Sequence, residues 1–562
     1  MQQSELRARK AAITIDAPLM LNAGYQQSET QAADSATLRI PPSEKHDMNG
    51  NWTDGYVTDI GYTHGYYPQL NPARLQLAFA AAGLDSPLVR TACELGFGQG
   101  LSINIHAAAS PVNWYGNDFN ATQAAHAQTL ARESRNGAQL EQASFTEFCA
   151  REDLPQFDFI AMHGIWSWVS ADNRALIRDF VERRLKFGGV LYVSYNTQPG
   201  WAAFMPLRDL LLRHFDMPSN AGKGSAERID AALDFAEGMF AADPVYARAN
   251  PFMQERIAIL KKQSRHYLAH EYFNRDWHVE SFADMAAIWS AAGLEFACSA
   301  DFRDHLDMAN LTPAQREFCA AVDDRHLRQS VRDFMVNQQF RRDYWVRGAQ
   351  SLDASSHQAL LAQQRVVLLT APDKIPMTLK TVSSEITLNQ HIYGPVIAVL
   401  ADGLPHSLGE IAGIVGSRNL GLQQVLDTLM MLIGNGHAAP VQADSDILHG
   451  RDGSAALNRY LIAQAVRGHA DGDIEHLASP VTGGGVPADR IQQLFMLAVL
   501  EGQETPDAIV GFVWEHISAG GKKIVRDGVR LEDEQANLDE LSLQAQRFFV
   551  ERLPLLQALQ VI

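Results

Sequence analysis

The stretch LVRTACELGFGQGLSINIHAAA (residues 88–109) decides the fold. LVRTACELG (88–96) is a short apolar strand ending in glycine, and LSINIHAAA follows at once as a helix. Between them stands Glu94-Leu95-Gly96-Phe97-Gly98-Gln99-Gly100. A glycine loop between a strand and a helix lets the backbone pass close to a nucleotide-like ligand. The spacing is E-x-G-x-G-x-G rather than the dinucleotide G-x-G-x-x-G. A carboxylate at the strand end opposes a pyrophosphate at the helix N-terminus and suits a ligand carrying an ammonium group. Asp118 lies 24 residues after Glu94, at the end of the next strand, NWYGND (113–118). An acid about 20 residues on accepts both ribose hydroxyls. Carboxylate for ribose, glycines under an amino-acid part and no phosphate to hold together point to S-adenosylmethionine.

Outward from this unit the pattern repeats. PARLQLAFAAAG (72–83) is a helix before it, and ATQAAHAQTLARES follows the second strand as a helix. QASF (142–145) fits a third strand, FDFIAMH (157–163) a fourth and GGVLYVSYN (188–196) a fifth, with NRALIRDFVERRL a helix between the last two. Strands alternating with helices predict an α/β fold: a Rossmann-like parallel sheet covered on both faces. Residues 200–265 are mostly helical and read as an insertion. SFADMAAIWSAAG (281–293) and LEFACSAD (294–301) return to the sheet as helix and strand, and QQFRRDYWVR (338–347) is expected as an antiparallel edge strand. RVVLLTAP and MTLKTVSSEITL read as a strand pair, then three short helices and the strand HAAPVQ (437–442) resemble a winged helix. The expected organisation is an N-terminal arm at 1–55, the main domain at 56–350, a winged-helix-like domain at 351–450 and further helix at 451–562.

The chain has 562 residues, 46% of them apolar, and a formal charge of −18. That balance gives ample core and argues against nucleic-acid or anionic-membrane binding, both of which need a positive field. Residues 381–450 sharpen the point: Arg418 is the one basic residue there, against Glu385, Asp402, Glu410, Asp427, Asp444 and Asp446. Protein docking, dimerisation or plain scaffolding are the roles left to this region. Cys93, Cys149, Cys298 and Cys319 stand far apart, which excludes a disulfide framework and a zinc site and suits a reducing compartment. With neither a signal-peptide core nor a run of about 18 apolar residues, the expected location is the cytoplasm.

YTHGYYPQLNP (62–72), ELGFGQG (94–100), MHGIWSWVS (162–170), LKFGGVLYVSYNTQPGW (185–201) and HEYFNRDW (270–277) carry a further reading. The chain resembles bacterial class I methyltransferases with a methyltransferase regulatory domain, and is similar to the rickettsial outer-membrane-protein lysine methyltransferases. The resemblance implies that Glu94, Gly96, Gly98, Gly100 and Asp118 bind S-adenosylmethionine. It places Phe119 near the adenine, Ser144 and Phe145 at the border of the base, and His163 and Gly164 where the methyl donor meets its acceptor.

Methyl transfer is an in-line displacement, so position is its main demand. A lysine acceptor must be neutral, and an apolar aromatic slot favours that form. Tyr62, Tyr67, Trp166 and His163 are the catalytic candidates, and His64, Tyr66, Tyr195, Trp201 and Tyr272 the candidates for holding substrate. Each has a plain structural alternative: the aromatics as core, the histidines as hydrogen-bonded structural groups. Glu271 or Asp276 would draw in a cation, or lie in an ion-paired surface turn. The expected partner is a protein with lysine acceptors, with a homodimer as a further expectation. The competing functions are a small-molecule N- or O-methyltransferase and a non-catalytic protein that binds S-adenosylmethionine.

Overall fold

The computed structural model describes residues 64–468, 473–519, 521–526 and 529–562. The expected N-terminal arm and Tyr62 lie outside these residues. The described chain forms two compact units, one of residues 202–276 and one of residues 64–201 with 277–562.

The larger unit is built on seven strands: β1 (Thr91–Leu95), β2 (Asn113–Asp118), β3 (Gln139–Gln142), β4 (Phe157–Met162), β5 (Leu185–Asn196), β6 (Glu295–Ser299) and β7 (Phe340–Val346). Their order in the sheet is β3-β2-β1-β4-β5-β7-β6. The first five run parallel, and β7 is antiparallel to both β5 and β6. α1 (Pro72–Ala81) precedes β1, and the helices between the first five strands are α2 (Leu101–Ala109), α3 (Ala121–Ser134), α4 (Phe145–Cys149) and α5 (Ala171–Arg184).

Two expectations are corrected here. The third strand is Gln139–Gln142, not 142–145, because Ser144 caps α4. Its Oγ accepts from the Glu147 N–H while the Glu147 carboxylate accepts from the Ser144 N–H. The antiparallel strand β7 is internal, and β6 takes the edge. Tyr344 and Trp345 show why: both are fully buried, one toward each face of the sheet.

The smaller unit is helical: α6 (Met205–Phe215), α7 (Ser225–Ala241), α8 (Val245–Ala249), α9 (Met253–Lys262) and α10 (Arg265–Tyr272). Its apolar interior includes Leu211, Ile229, Leu233 and Ile257.

Beyond this insertion the larger unit resumes with α11 (Phe282–Ala291), α12 (Asp307–Asn310), α13 (Pro313–Ala320), α14 (Arg325–Val336) and α15 (Ala354–Gln363). Next come β8 (Arg365–Leu368), β9 (Thr378–Lys380), β10 (Glu385–Thr387), α16 (Gln390–Val399), β11 (His406–Ser407), α17 (Leu408–Val415), α18 (Leu422–Gly434) and β12 (Ala438–Val441). β8 does not pair with its sequence neighbour, as the reading of RVVLLTAP expected. It lies between β11 and β12, while β9 and β10 form their own hairpin. Residues 378–387 carry their own turn, so the local hairpin closes first and leaves β8 to partners further along the chain.

The long helix α19 (Asp444–Gln464) then lies along α2, and the hairpin β13 (His476–Ser479) with β14 (Gly484–Pro487) follows. The helix contact is a backbone contact. A Cβ on Gly450 would stand 2.3 Å from the Ala109 carbonyl oxygen. Gly450→Ala is therefore expected to lower stability by about 2 kcal/mol through overpacking, read as an earlier thermal unfolding transition. All four cysteines are buried and unpaired. Among the described residues no helix is long and apolar enough to cross a membrane.

Candidate active site

The site lies at the carboxyl ends of the parallel strands, on one face of the sheet. Register fixes which residues share it. Gly116, Glu94, Ala161, Tyr192 and Tyr344 stand level across β2, β1, β4, β5 and β7. Side chains alternate faces along a strand, so Asp118, His163, Ser194 and Arg342, each two residues away along its own strand, share that face. It is the face covered by α1, where Phe79 meets Tyr344.

The glycine loop passes from β1 into α2. Gly100 takes φ +72°, and a Cβ there would stand 2.2 Å from the Ala127 Cβ on α3, so only glycine fits. Gly98 is the opposite case, with nothing within 4 Å of where its Cβ would be. Gly96 faces Ile165. The Gly98 N–H donates to Asp118 Oδ2 at 2.8 Å, and the Asn120 N–H to Oδ1 at 2.9 Å.

Glu94 is buried, and its Oε2 has no hydrogen-bond partner among the described residues. Burial first, and the nearby Asp118 second, hold its carboxyl well above the usual range. Burial also pushes Asp118 up to about 6, against the two backbone donors. Two carboxylates beside an open loop, one of them with an unsatisfied buried oxygen, are incomplete by themselves. They fit a ligand that brings an ammonium group and hydroxyls. No group of three His, Cys, Asp or Glu able to hold a metal occurs among the described residues.

Beside this pair, His163 is half-buried at the end of β4. The Tyr67 ring stacks on it, with centroids 3.7 Å apart. Its Nδ1 is hydrogen-bonded to the Tyr192 hydroxyl at 2.7 Å, and Phe340 meets its ring edge-on at 6.3 Å. The Gly164 N–H donates to Ser194 Oγ at 2.8 Å. Burial, and then the charge of Arg342, lower the His163 imidazole to about 3, so it is neutral at physiological pH.

His64 lies over the loop through His126, whose ring centroid is 5.1 Å away and whose Nδ1 bonds the Gln99 carbonyl at 2.8 Å. Phe119 is half-buried directly after Asp118. Phe145 borders Gly96, while the Ser144 hydroxyl is engaged in capping α4.

Other candidates sit elsewhere. Trp166 is packed in the core against Trp289, centroids 5.0 Å apart, on the opposite face of the sheet. Tyr195 also points to that face, where its hydroxyl donates to Asp343 at 2.7 Å. Both were expected at the site and are core instead, because each lies on the face packed against α11. Tyr66 is not open to a ligand either: its ring lies between His106 and His476, against the β13–β14 hairpin. Burial raises its hydroxyl to about 12. Trp201 and Trp277 meet edge-to-face at 5.5 Å, where the larger unit leaves and re-enters the insertion. Tyr272 belongs to the helical unit, with Phe204 edge-on at 5.6 Å, and Glu271 beside it is pushed up to about 7 by burial. Sequence reasoning missed Tyr192, Ser194 and Arg342. Strand alternation from His163 and the level of β5 carried the signal for the first two.

The chain is 36% identical over 515 residues to "Uncharacterized protein sll1526" of Synechocystis sp., covering 91% of this chain and 99% of that one. The chain belongs to the sll1526 family. Within this member, residues 264–347 match the model described as "Predicted methyltransferase regulatory domain". That match takes in the end of the helical unit, α11, β6, α14 and β7. A second relative is "Uncharacterized protein RP789" of Rickettsia prowazekii, 26% identical over 293 residues, half of this chain and 51% of that one. Among solved structures, PKMT2 from Rickettsia typhi, determined in complex with AdoHcy, aligns with a TM-score of 0.64 at 18% identity. The alignment covers 88% of this chain and 99% of that one. At this identity the likeness to PKMT2 is one of fold.

Proposed function

We propose that this chain is an S-adenosylmethionine-dependent methyltransferase whose acceptor is the side-chain amine of lysine in a protein. The observation that carries the cofactor is the buried Glu94 oxygen without a partner, set beside Asp118 and the open Gly98. Glu94 receives the ammonium, Asp118 accepts the ribose hydroxyls, and Gly96, Gly98 and Gly100 lie under the amino-acid part. Phe119 and Phe145 flank the base. When bound, S-adenosylmethionine supplies an electrophilic methyl group: the amine lone pair forms the N–C bond as the C–S bond breaks, and sulfur keeps the electron pair. The chain's part is to orient the two and exclude water. His163 and Gly164 form the wall where the acceptor enters, with Tyr67 stacked on that wall. A neutral imidazole beside an aromatic face suits an amine that must arrive without its proton.

Lysine is supported by the resemblance of the quoted motifs to the rickettsial lysine methyltransferases and by the near full-length similarity to PKMT2. In this reading the acidic, winged-helix-like region at 351–450 docks a protein substrate and does not bind nucleic acid.

The test is transfer of labelled methyl from S-adenosylmethionine into lysate split into protein and small-molecule fractions. Base-stable label mapped to lysine in a protein band is the expected result. Label confined to small molecules would replace this reading with a metabolite methyltransferase, and cofactor binding without transfer to any fraction with a sensor.

A further inference from the structure

Behind His163 the same face of the sheet carries more positive charge than negative. Arg342 stands opposite Ser194 on β7, with β5 between it and the His163–Gly164 wall. Its Nη1 reaches Asp301 Oδ2 at 3.0 Å, and its Cζ lies 4.9 Å from the centre of the Phe340 ring, which itself meets His163. Asp301 is shared: Arg303 grips it through Nε at 2.9 Å and Nη2 at 2.6 Å. Arg74 comes in from α1, 4.2 Å above the Phe302 ring, within electrostatic reach of both Asp301 and Arg342. Three guanidinium groups thus share one carboxylate. The next carboxylate, Asp304, is paired with Arg332 at 3.0 Å. The Nε atoms of Arg342 and Arg74 are buried without a hydrogen-bond partner among the described residues.

We propose that Arg342 is a positioning residue for methyl transfer: it keeps this wall cationic, so that the acceptor lysine docks as the neutral amine. The proposal rests on the lysine reading above. A fixed cation nearby penalises an ammonium and leaves a neutral amine unaffected. Other titratable and charged groups on this face are accounted for. Tyr67 and Tyr192 bracket His163, Tyr344 donates to the Gln69 carbonyl, and Asp301 is shared as described. Glu94 and Asp118 are engaged by the cofactor in the proposed function. The excess charge facing the acceptor is therefore that of the arginines, and Arg342 is the one that packs on the Phe340 ring that meets His163. The amine proton leaves to solvent before the N–C bond forms.

Two measurements on the full-length protein test this. Initial rates of methyl transfer to the lysate protein fraction are taken from pH 6 to 10 for the native enzyme, Arg342→Met and Arg342→Lys. In Arg342→Met the acid limb of kcat should move up by about one pH unit, a roughly tenfold loss on that limb that vanishes at high pH. Arg342→Lys, which keeps the charge, should leave the limb in place. In the second measurement, histidine-labelled protein is titrated by NMR with no acceptor present. The His163 resonance, assigned by its loss in His163→Asn, should titrate higher in Arg342→Met by about one pH unit. An unmoved limb together with an unmoved His163 overturns the proposal. So does a raised KM with an unmoved limb, which would make Arg342 a direct substrate contact. Label on an acceptor other than lysine removes the reading on which the proposal stands, and the His163 titration, which needs no acceptor, tells that failure apart from a failure of Arg342.

Discussion

Asp118→Ala is expected to weaken S-adenosylmethionine binding by about a hundredfold while the protein stays folded. The carboxylate already accepts the Gly98 and Asn120 N–H groups, which aims its remaining lone pairs at the loop. Two hydroxyls given to a buried carboxylate are worth about 3 kcal/mol, which is roughly that hundredfold. The pH dependence follows from burial, which raises Asp118 to about 6. Ligand hydroxyls need the ionised form, so a proton competes below that value. The Asp118 contribution to affinity should be flat above pH 7 and fall roughly tenfold per unit below pH 6. The contribution to stability of the ligand-free fold has the opposite sense. A carboxyl raised by folding contributes fully below its unfolded value of about 4, and that contribution is lost as pH rises through about 6. Glu94 adds a second signature. Its carboxyl is held high until an ammonium arrives, so binding should release a proton over the pH range in which that carboxyl is still protonated. Calorimetry in buffers of different ionisation enthalpy reads that release, and Glu94→Gln should abolish it. Unchanged affinity in Asp118→Ala would overturn the ribose assignment.

Arg341→Met should be the most destabilising single substitution considered, costing about 3–5 kcal/mol. Arg341 is fully enclosed between β7 and α14. Its Nε and Nη2 hold Asp343 at 2.9 and 3.1 Å, its Nη1 holds Asp333 at 2.6 Å, and the Phe282 ring lies 4.4 Å beneath. Tyr195 donates to the same Asp343 carboxylate. Removing the guanidinium leaves two carboxylates buried without their cation. Burial already raises both, Asp333 to about 6. The variant should therefore recover stability on acidification, as its carboxyls take up protons. Arg341→Met with Asp343→Asn should recover part of the loss at neutral pH. Thermal melting from pH 5 to 8 checks both, and a loss independent of pH would mean that packing, not uncompensated charge, is the cause.

The strand–loop–helix geometry of the proposed cofactor half was legible because its determinants are local. A strand end, a left-handed glycine and a helix start are properties of a few consecutive residues. Glu94, the loop glycines and Asp118 could therefore be placed from spacing alone. The third strand was misread by three residues because Ser144 and Glu147 form a capping box. That S-x-x-E signal was present in the sequence and outweighed the apolar pattern.

The acceptor half was less legible. Trp166 and Tyr195 lie within motifs that read as functional, yet both face α11. Which side of a strand meets the site depends on register, and a shift of one residue moves Tyr195 out and Tyr192 with Ser194 in. Arg342 had no local signal, since its partner Asp301 is 41 residues away in the chain.

The sequence alone thus determined the α/β class, the alternation of strands and helices that makes the sheet parallel, and the carboxylate–glycine loop between strand and helix, because backbone propensities and short spacings encode them. Only the tertiary structure decided the charge and lining of the proposed acceptor wall. That wall is assembled from Tyr67, His163, Tyr192 and Arg342, residues far apart in the chain that meet when β7 inserts between β5 and β6.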